Sequence, residues 1–407
     1  MTRLASYFRG VSAKLLSSVE CDPSASNQHE LNGTVAMQSY LGTHRQEFNA
    51  RFIYVSDNEE YCLSVLCPVT WYDARENHPT RKEYRLYFAD NGVMGRAAPG
   101  DILITALDTH GQFLIVVLDE NHSMRETILW WFGLSGELLK RFSTIDVEST
   151  EIASSALFNY VADELGLEVS SSDPADWTTE VVSEFGDKFP STVALSQFAR
   201  QSLGNEIDLR GSPDQSLLLL LDREEALFRA LEKHIVGKYL ESNADQLIND
   251  VDEFISFSLS VQNRRKSRAG HALENHVASI LDAFHLNYSK GETTEARSKP
   301  DFLFPGQDQY KSEDFPDERL TMLGAKTSCK DRWRQVLTEA NRIQKKHLLT
   351  LQPSISQQQT DQMRREHLTL ILPEPLHSTY NQHQRSEILN LAEFIQLVEE
   401  RQEMIQE

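Results

Sequence analysis

Three charged residues in the second half of the 407-residue chain stand at the ends of apolar runs. Asp301 opens the run 301–304, Lys326 lies in the run 320–329, and Glu339 follows about a dozen residues later. Two carboxylates can hold a hard divalent cation such as Mg²⁺. A lysine beside them can stabilise the charge that develops on a phosphate during hydrolysis. These residue types, in this order, favour metal-assisted hydrolysis of a phosphodiester.

The same residues also have an ordinary structural interpretation. Asp and Lys are common in this chain, so Asp301 and Lys326 can be solvated strand ends. Glu339 can belong to a charged helix face. Spacing alone leaves both interpretations open.

The elements that would carry these side chains follow from the apolar periodicity. In a strand, Asp301 and Leu303 share one face, because successive side chains alternate. The run 320–329 has the same period and places Lys326 on one face with other side chains of its strand. Asp331 is predicted to cap a helix that carries Glu339. The apolar positions of this helix have helical spacing: Val336, Leu337, Ala340 and Ile343.

Three stretches of sequence resemble the catalytic domain of the EcoRII family of restriction endonucleases. They are Asn-Arg-Arg-Lys-Ser-Arg-Ala-Gly at 263–270, Lys-Pro-Asp-Phe-Leu-Phe-Pro at 299–305 and Cys-Lys-Asp-Arg-Trp-Arg-Gln at 329–335. The resemblance runs from about Trp177 onward, a little over half of the chain. It implies a PD-(D/E)XK-type fold whose last carboxylate has moved onto the helix. The implied active site is Asp301, Lys326 and Glu339, with Mg²⁺ as cofactor.

The resemblance also implies roles for residues around this site. Glu274 would be a further acidic member, on a helix that begins near His271, and Tyr310 would lie in the active-site region. A basic cluster is usually a solvated helix face, but one placed just before Glu274 is expected to clamp phosphates. The predicted clamp residues are Arg264, Arg265, Lys266 and Arg268.

A second basic segment, beside the catalytic run, is expected to read bases. Arg332 can bond guanine and Asp331 can accept from cytosine, so the pair suits G·C base pairs in the major groove. In similar enzymes this segment, with Lys330, reads a CC/GG step, which implies a target of the CCWGG kind. Arg334 is expected to contact a phosphate or a neighbouring base.

The fold class predicted for the chain is α/β (α+β), in two domains. Residues 1–169 are predicted to form a β-rich domain, 170–176 a hinge containing Ser, Asp and Pro, and 177–407 the catalytic domain. By position, the first domain corresponds to the DNA-binding pseudo-barrel of the family. Its predicted strands are 51–55, 61–67, 83–88, 101–107, 112–118 and 127–132.

The charge distribution fits a partner that carries phosphates. The net charge is −21, but residues 261–350 hold 16 Lys and Arg against 12 Asp and Glu, a local excess of +4 in an acidic protein. There is no apolar run of membrane-spanning length and no signal-peptide core at the start. The four cysteines lack metal-site spacing, which suggests reduced thiols and a cytoplasmic protein.

Together these features predict a type II restriction endonuclease, of the type IIE kind, that cuts double-stranded DNA with Mg²⁺. The amino-terminal domain would bind a second, effector copy of the site. A palindromic target implies a homodimer, and the family implies a cognate methyltransferase that protects host DNA. Two alternatives stay open: a DNA-binding regulator that keeps the nuclease fold without cutting, and a nuclease whose amino-terminal domain senses modified bases.

Overall fold

The computed structural model describes residues 2–21, 29–134, 141–167, 177–329 and 333–403. It divides into two compact units, of which the first holds residues 1–152 and 165–173 and the second holds 153–164 and 174–407. The predicted hinge at 170–176 lies outside the described residues. Residues 153–164, assigned to the amino-terminal domain by sequence, pack with the second unit.

The described part of the first unit is built mainly from strands. The strands are β1 (Thr2–Arg3), β2 (Phe8–Leu15), β3 (Glu30–Asn32), β4 (Gln46–Val55), β5 (Leu63–Asp73), β6 (Tyr84–Phe88), β7 (Ile102–Asp108), β8 (Phe113–Leu118), β9 (Ser143–Thr144) and β10 (Glu151–Ile152). The helices are α1 (Ser18–Cys21), α2 (Gln38–Leu41) and α3 (Arg125–Trp131).

Eight of these strands form one sheet in the order β3-β6-β5-β4-β8-β7-β2-β9. The β4–β8 pair is parallel, and the other neighbours are antiparallel. Strands β7 and β8 are buried along their whole length, as expected for strands covered on both faces. A core that includes Phe52, Trp71 and Ile115 lies against the sheet.

The sequence located five of the six strands predicted in this unit. The prediction of a strand at 127–132 was wrong, because helix α3 occupies Arg125–Trp131. Thr127, Ile128, Leu129 and Trp131 are all buried there, and a short apolar run buried on most sides looks the same in a helix and in a strand. Strand β2 lies in a stretch whose pattern gave no prediction.

The second unit combines helices with a smaller sheet. The helices are α4 (Ser155–Leu165), α5 (Thr178–Phe185), α6 (Thr192–Leu203), α7 (Pro213–Asn249), α8 (Val251–Ala283), α9 (Gln307–Lys311), α10 (Trp333–Leu337), α11 (Gln357–Arg365), α12 (Gln382–Arg385) and α13 (Leu391–Glu403). The strands are β11 (Ser289–Lys290), β12 (Phe302–Phe304), β13 (Thr321–Lys326), β14 (Lys346–Thr350) and β15 (Leu368–Ile371).

The five strands of this sheet are ordered β11-β12-β13-β14-β15. Strands β11, β12 and β13 pair antiparallel, whereas β13, β14 and β15 pair parallel. Parallel neighbours need crossover segments, here the one containing α10 and the one containing α11. Strands and helices thus alternate from β13 to α13, in agreement with the predicted α/β (α+β) fold class. No helix among the described residues is long and apolar enough to cross a membrane.

Helices α7 and α8 pack against each other as a long hairpin. Pro213 occupies the first turn of α7, where the backbone N–H that proline lacks has no partner within the helix. Helix α8 begins at Val251, capped by the Asp250 side chain, and not near His271 as expected. The buried apolar residues of α8 lie in its second half, where the helix was expected. The first twenty residues of α8 carry no comparable buried face, and the sequence did not predict them as part of the helix.

Candidate active site

Asp301 and Lys326 lie close together where β12 begins and the antiparallel β13 ends. Asp301 immediately precedes β12 and Lys326 is the last residue of β13, so the antiparallel pairing brings the two positions together. Asp301 Oδ2 accepts a hydrogen bond from the Lys326 ammonium at 2.8 Å and another from the Ala325 backbone N–H at 2.7 Å. The carboxylate is therefore held by main chain and side chain of the neighbouring strand.

Glu339 lies beyond the helix that was expected to carry it. Helix α10 ends at Leu337, and Glu339 sits in the turn that follows. Ala340 has a φ of +47°, a left-handed conformation that a continuing helix cannot contain. The sequence missed this ending because Ala340 and Ile343, both buried, continue the helical spacing although the backbone has left the helix.

The turn is brought close to β13 by a small residue. A Cβ added at Gly324, in the middle of β13, would lie 3.0 Å from Val336 Cγ2 of α10. This is tighter than ordinary packing, so a side chain at position 324 would require α10 to move away by a few tenths of an ångström. The helix, and the turn after it, are thereby placed over the end of β13 where Lys326 lies.

The carboxylates around this point affect one another electrostatically. Burial, followed by the negative charge of Asp301, raises the pKa of Glu339 to about 7, while Lys326 and Lys346 oppose the rise. Burial and Asp301 likewise raise the pKa of Glu274, against Lys290, His271 and Lys326. Both groups therefore share the field of Asp301, as carboxylates of a common site do.

Lys346 stabilises the turn that contains Glu339 through the backbone carbonyls of that turn. It is 6 % exposed, and its ammonium donates to the backbone carbonyls of Glu339 at 2.5 Å, Ala340 at 3.0 Å and Ile343 at 2.9 Å. Burial lowers the pKa of Lys346, and the nearby Glu339 and Glu295 counteract that effect. A single ammonium thus donates to three carbonyls of the turn, of which that of Ala340 also accepts from the Ile343 N–H at 2.9 Å.

Glu295 and Tyr310 hold the same turn by its amide groups. The Tyr310 hydroxyl donates to Glu295 at 2.6 and 2.7 Å, and Glu295 Oε2 accepts from the Asn341 N–H at 3.3 Å. The Arg342 N–H donates to the Tyr310 hydroxyl oxygen at 3.3 Å. Although burial opposes it, bonding to Tyr310 and to backbone N–H groups holds the pKa of Glu295 below its usual value.

Glu274 reaches the site from helix α8 and has a lysine beside it. Lys290 of β11 lies 3.6 Å from Glu274 Oε2 and donates to Asn275 Oδ1 at 3.1 Å. Sequence reasoning did not find Lys290 or Glu295. Neither stands in a recognisable motif, and only the pairing of Lys290 with Phe302 across β11 and β12 places the lysine near Asp301.

The basic cluster at 264–268 divides into two kinds of residue. Arg268 is 4 % exposed and forms ion pairs with Glu224 and Glu225 of α7. Arg265 bonds Glu232 at 2.9 Å. These two side chains connect helices α7 and α8, so their positions do not suit the phosphate clamp predicted for them. Arg264, stacked 4.1 Å over the Phe189 ring, and Lys266 are exposed, and for them a DNA contact stays a prediction.

The residues expected to read bases are only partly described. Lys330, Asp331 and Arg332 lie outside the described residues, as does the predicted helix cap at Asp331. Arg334 is exposed, stacks 4.5 Å over the Trp333 ring and donates to Gln362 at 3.3 Å. Its predicted DNA contact is untested.

Five basic residues of the first unit, Arg75, Arg81, Lys82, Arg85 and Arg96, are candidates for phosphate contacts or solvated strand ends, and the side chains of all but Arg81 have partners within that unit. Arg75 pairs with Glu83, Lys82 with Asp73 at 3.0 Å, and Arg85 with Glu30 at 2.6 Å. Arg96 donates to the Tyr61 carbonyl. Contacting a phosphate would require these groups to exchange or share their present partners.

The donor set suits a hard cation of the Mg²⁺ type. Asp301 and Glu339 offer oxygen ligands, and Glu339 Oε2 is a buried oxygen to which the structure gives no hydrogen-bond partner. Mg²⁺ uses one or two carboxylates and completes its shell with water and phosphate oxygens. Among the described residues, no three His, Cys, Asp or Glu side chains group closely enough to enclose a metal. A site that needs phosphate to complete it agrees with both observations.

Comparison with known proteins finds relatives over most of the chain. Residues 228–395 match the family described as EcoRII C terminal. The type II restriction enzyme EcoRII of Escherichia coli is 31 % identical over 379 residues, which cover 92 % of this chain and 85 % of that enzyme. Metal-depleted Ecl18kI in complex with uncleaved, modified DNA has a TM-score of 0.45 at 18 % identity, covering 58 % of this chain and 86 % of that one. The restriction endonuclease PspGI–substrate DNA complex has a TM-score of 0.44 at 14 % identity, covering 53 % and 94 %. By its identity and coverage with the Escherichia coli enzyme, the chain belongs to the EcoRII family of type II restriction enzymes.

Proposed function

We propose that this protein binds double-stranded DNA at a CCWGG-like site and hydrolyses a phosphodiester bond in each strand with Mg²⁺ as cofactor. The observation that carries the proposal is the contact of Lys326 with Asp301 at 2.8 Å, together with a half-buried Glu339 whose pKa responds to both. Membership of a restriction-enzyme family supports the same chemistry.

Each residue of the site has a distinct role in this proposal. Asp301 and Glu339 would hold the ion, and Glu274 would act as a further acid that orients water or the ion from α8. When bound, Mg²⁺ neutralises charge on the scissile phosphate and lowers the pKa of a water molecule. Lys326 places a positive charge next to Asp301, where it can stabilise the extra negative charge of the pentacovalent phosphate.

Glu339 is the residue whose protonation state matters most for assembling the site. With a pKa near 7 it is partly protonated at neutral pH, and a protonated carboxyl is a poor ligand for a hard cation. Binding of the ion would therefore release a proton from Glu339. The desolvated position that raises the pKa also keeps water from competing for the same oxygen.

Recognition of the target is assigned to Lys330, Asp331, Arg332 and Arg334, next to the catalytic strand. The exposed Arg264 and Lys266 would add phosphate contacts, which supply affinity without sequence preference. Arg332→Ala should cost about 1–3 kcal/mol in discrimination between correct and altered sites. Equal weakening on all DNA would instead assign Arg332 to the backbone.

The remaining parts of the proposal concern partners. A palindromic target read by one site per chain calls for a homodimer, and a cognate methyltransferase would protect the host's own sites. The amino-terminal unit would bind an effector copy of the target. Its eight-stranded sheet is compatible with this role, although the paired state of Arg75, Lys82 and Arg85 assigns the contact to other residues or to a rearrangement.

Incubation of a plasmid containing CCWGG sites with the purified protein and Mg²⁺ tests the proposal. We expect discrete fragments, and mapping of their ends gives the sequence and the cut position together. Asp301→Ala, Lys326→Ala and Glu339→Ala should each abolish cleavage and preserve specific binding in a gel-shift assay. Binding without cleavage by the wild-type protein would indicate the regulator instead. Cleavage only of methylated plasmid would indicate a nuclease that senses modified bases.

A further inference from the structure

A second lysine lies near Asp301, on the strand opposite the one that carries Lys326. Strand β12, which Asp301 immediately precedes, is flanked by β11 with Lys290 and by β13 with Lys326. The Gly291 N–H donates to the Asp301 carbonyl at 3.1 Å, so the pairing with β11 continues up to Asp301 itself. The Asp301 end of β12 therefore has a lysine on each of its two neighbouring strands.

The two lysines lie on opposite faces of the sheet. Lys290 is directly opposite Phe302, so these two side chains share a face, and the Lys290 ammonium lies 5.9 Å from the centre of the Phe302 ring. Lys326 is on the face of Gly324, two residues earlier in β13, which packs on α10. The Lys290 ammonium is 3.6 Å from the Glu274 carboxylate. Lys290 thus belongs to the side of the site that Glu274 occupies.

The Lys290 ammonium is held by an amide group. It donates to Asn275 Oδ1 at 3.1 Å, and Asn275 Nδ2 donates in turn to Ser196 Oγ of α6 at 3.1 Å. Because the amide nitrogen is engaged by Ser196, the amide oxygen is directed toward the lysine. Side chains of α6 and α8 therefore place this ammonium before any ligand arrives.

The ammonium has donors to spare. A lysine carries three N–H groups, and within the part of the chain that the structure describes, Asn275 accepts from one of them. The Glu274 carboxylate, at 3.6 Å, is too distant for a hydrogen bond. Lys290 can therefore donate to a ligand without giving up its present partner.

Lys290 is also accessible from solvent. Its side chain is 33 % exposed, compared with 25 % for Lys326, 22 % for Glu274 and 13 % for Asp301. Strand β11, which carries it, is the edge strand of the described sheet. A ligand that enters the site from this edge can reach the ammonium without displacing a buried group.

The ligand that suits this position is a phosphate group of DNA. Glu274 and Asp301 would repel a polyanion, and a cation between them and solvent offsets that repulsion. An ammonium binds phosphate as a compact positive charge. Strands β11 and β13 are two strand spacings apart, or about 10 Å, so Lys290 and Lys326 can contact different phosphates of one strand.

We propose that Lys290 binds the backbone phosphate next to the scissile one, on the Glu274 side of the site, and so fixes the position of the cut strand relative to Asp301. The inference rests on the proposed nuclease function, because it assigns a substrate contact within that site. A backbone contact carries no sequence information. Lys290 should therefore contribute the same affinity to target DNA and to unrelated DNA.

The salt dependence of DNA binding tests the proposal without Mg²⁺, so that no cleavage intervenes. For a CCWGG duplex and for an unrelated duplex, Lys290→Gln should weaken binding by the same factor. It should also reduce the slope of log affinity against log salt by about 1. Lys290→Arg, which keeps the charge, should retain the wild-type slope. Lys345→Gln removes an exposed lysine outside the site and is the matched control. Circular dichroism checks that the variants fold.

Neutral phosphates locate the contact. Each phosphate around the cut is replaced singly by a methylphosphonate, which lacks the negative charge. At the phosphate that Lys290 contacts, the replacement should weaken binding by the wild type but not by Lys290→Gln, because the two changes remove the same interaction. Coupling at a phosphate next to the scissile one is the expected result.

The outcomes separate this inference from the function on which it rests. A wild type that binds and cuts DNA, with a Lys290→Gln variant of unchanged slope and no coupling, would overturn the inference alone. If that variant also cut more slowly, Lys290 would be assigned to the positioning of Glu274. A wild type that binds neither duplex would refute the proposed function and this inference with it.

Discussion

Asp301 and Lys326 are held by a sheet, whereas Glu339 is held by side chains. The strand residues inherit their positions from the pairing of β12 with β13, a regular ladder of backbone bonds. The turn after α10 has no such ladder. Lys346 holds its carbonyls, and Glu295 with Tyr310 holds its N–H groups. The position of the Asp301 carboxylate should therefore tolerate nearby substitutions. The position of the Glu339 carboxylate depends on the three side chains that hold its turn.

The largest expected effect comes from the charged groups themselves. Asp301→Asn and Glu339→Gln should each reduce single-turnover cleavage by about a thousandfold or more, because each removes a ligand charge from the site. The two variants should bind target DNA like the wild type in a filter-binding assay. Substantial cleavage by Glu339→Gln would show that the turn carries no catalytic ligand and would remove the basis of the comparison.

The next largest effect is expected at the residue that supports the turn. Lys346→Met keeps the length of the side chain but removes the ammonium that donates to the carbonyls of Glu339 and Ile343, at about 1–3 kcal/mol for each buried group that water cannot reach. The Ala340 carbonyl keeps the bond from the Ile343 N–H. We expect cleavage to fall about 10- to 100-fold while DNA affinity is unchanged. Hydrogen exchange of peptides covering 338–345 should become faster even without metal.

Lys345→Met is the matched control for this variant, since Lys345 is the exposed neighbour of Lys346. Its cleavage rate and hydrogen exchange should equal those of the wild type. If Lys346→Met matched this control in both measurements, the turn would be held by something other than the ammonium.

A smaller effect is expected where a single hydroxyl is lost. Tyr310→Phe removes the bond to Glu295 and the acceptor for the Arg342 N–H but keeps the buried ring. Loss of one such group costs about 1 kcal/mol, so cleavage should fall by only a few fold. Tyr288→Phe, which loses a hydroxyl bonded to Asp282, is the control. A loss in Tyr310→Phe as large as that in Glu339→Gln would assign the hydroxyl to the chemistry.

The smallest effect on cleavage is expected at His347, a buried residue whose role is the stability of the sheet. Burial lowers the pKa of His347, on β14, from 6.5 to about 3. The neutral ring is thus favoured in the folded protein, and its contribution to stability is present above pH 6.5 and is lost as the pH falls toward 3. Between these two pH values the unfolded chain binds one proton more than the folded protein. The free energy of unfolding therefore falls by about 1.4 kcal/mol for each unit by which the pH is lowered. In urea unfolding, His347→Leu should remove about this slope between pH 6 and pH 4. An unchanged slope would mean that the ring is protonated in the folded state.

The sequence alone determined the features that depend on neighbours along the chain. Alternating or continuous apolar residues predicted strands at 51–55, 61–67, 83–88, 101–107, 112–118, 301–304 and 320–329, and the structure has a strand in each of these stretches. The residue types at Asp301, Lys326 and Glu339, together with the three stretches that resemble the EcoRII family, predicted the chemistry before any contact was known. Such features are local because periodicity and charge are properties of short segments.

Only the tertiary structure decided which charges are available and what holds them. The sequence predicted Arg268 as a phosphate ligand, but in the structure its side chain is buried and forms ion pairs with two acidic residues of α7. Glu295 and Lys290 belonged to no motif, and strand pairing and a distant turn brought them to the site. The helix that was to carry Glu339 ends early, because Ala340 adopts a left-handed conformation that Lys346, Glu295 and Tyr310 stabilise. Contacts between residues far apart in the chain set these outcomes, and no window of sequence contains them.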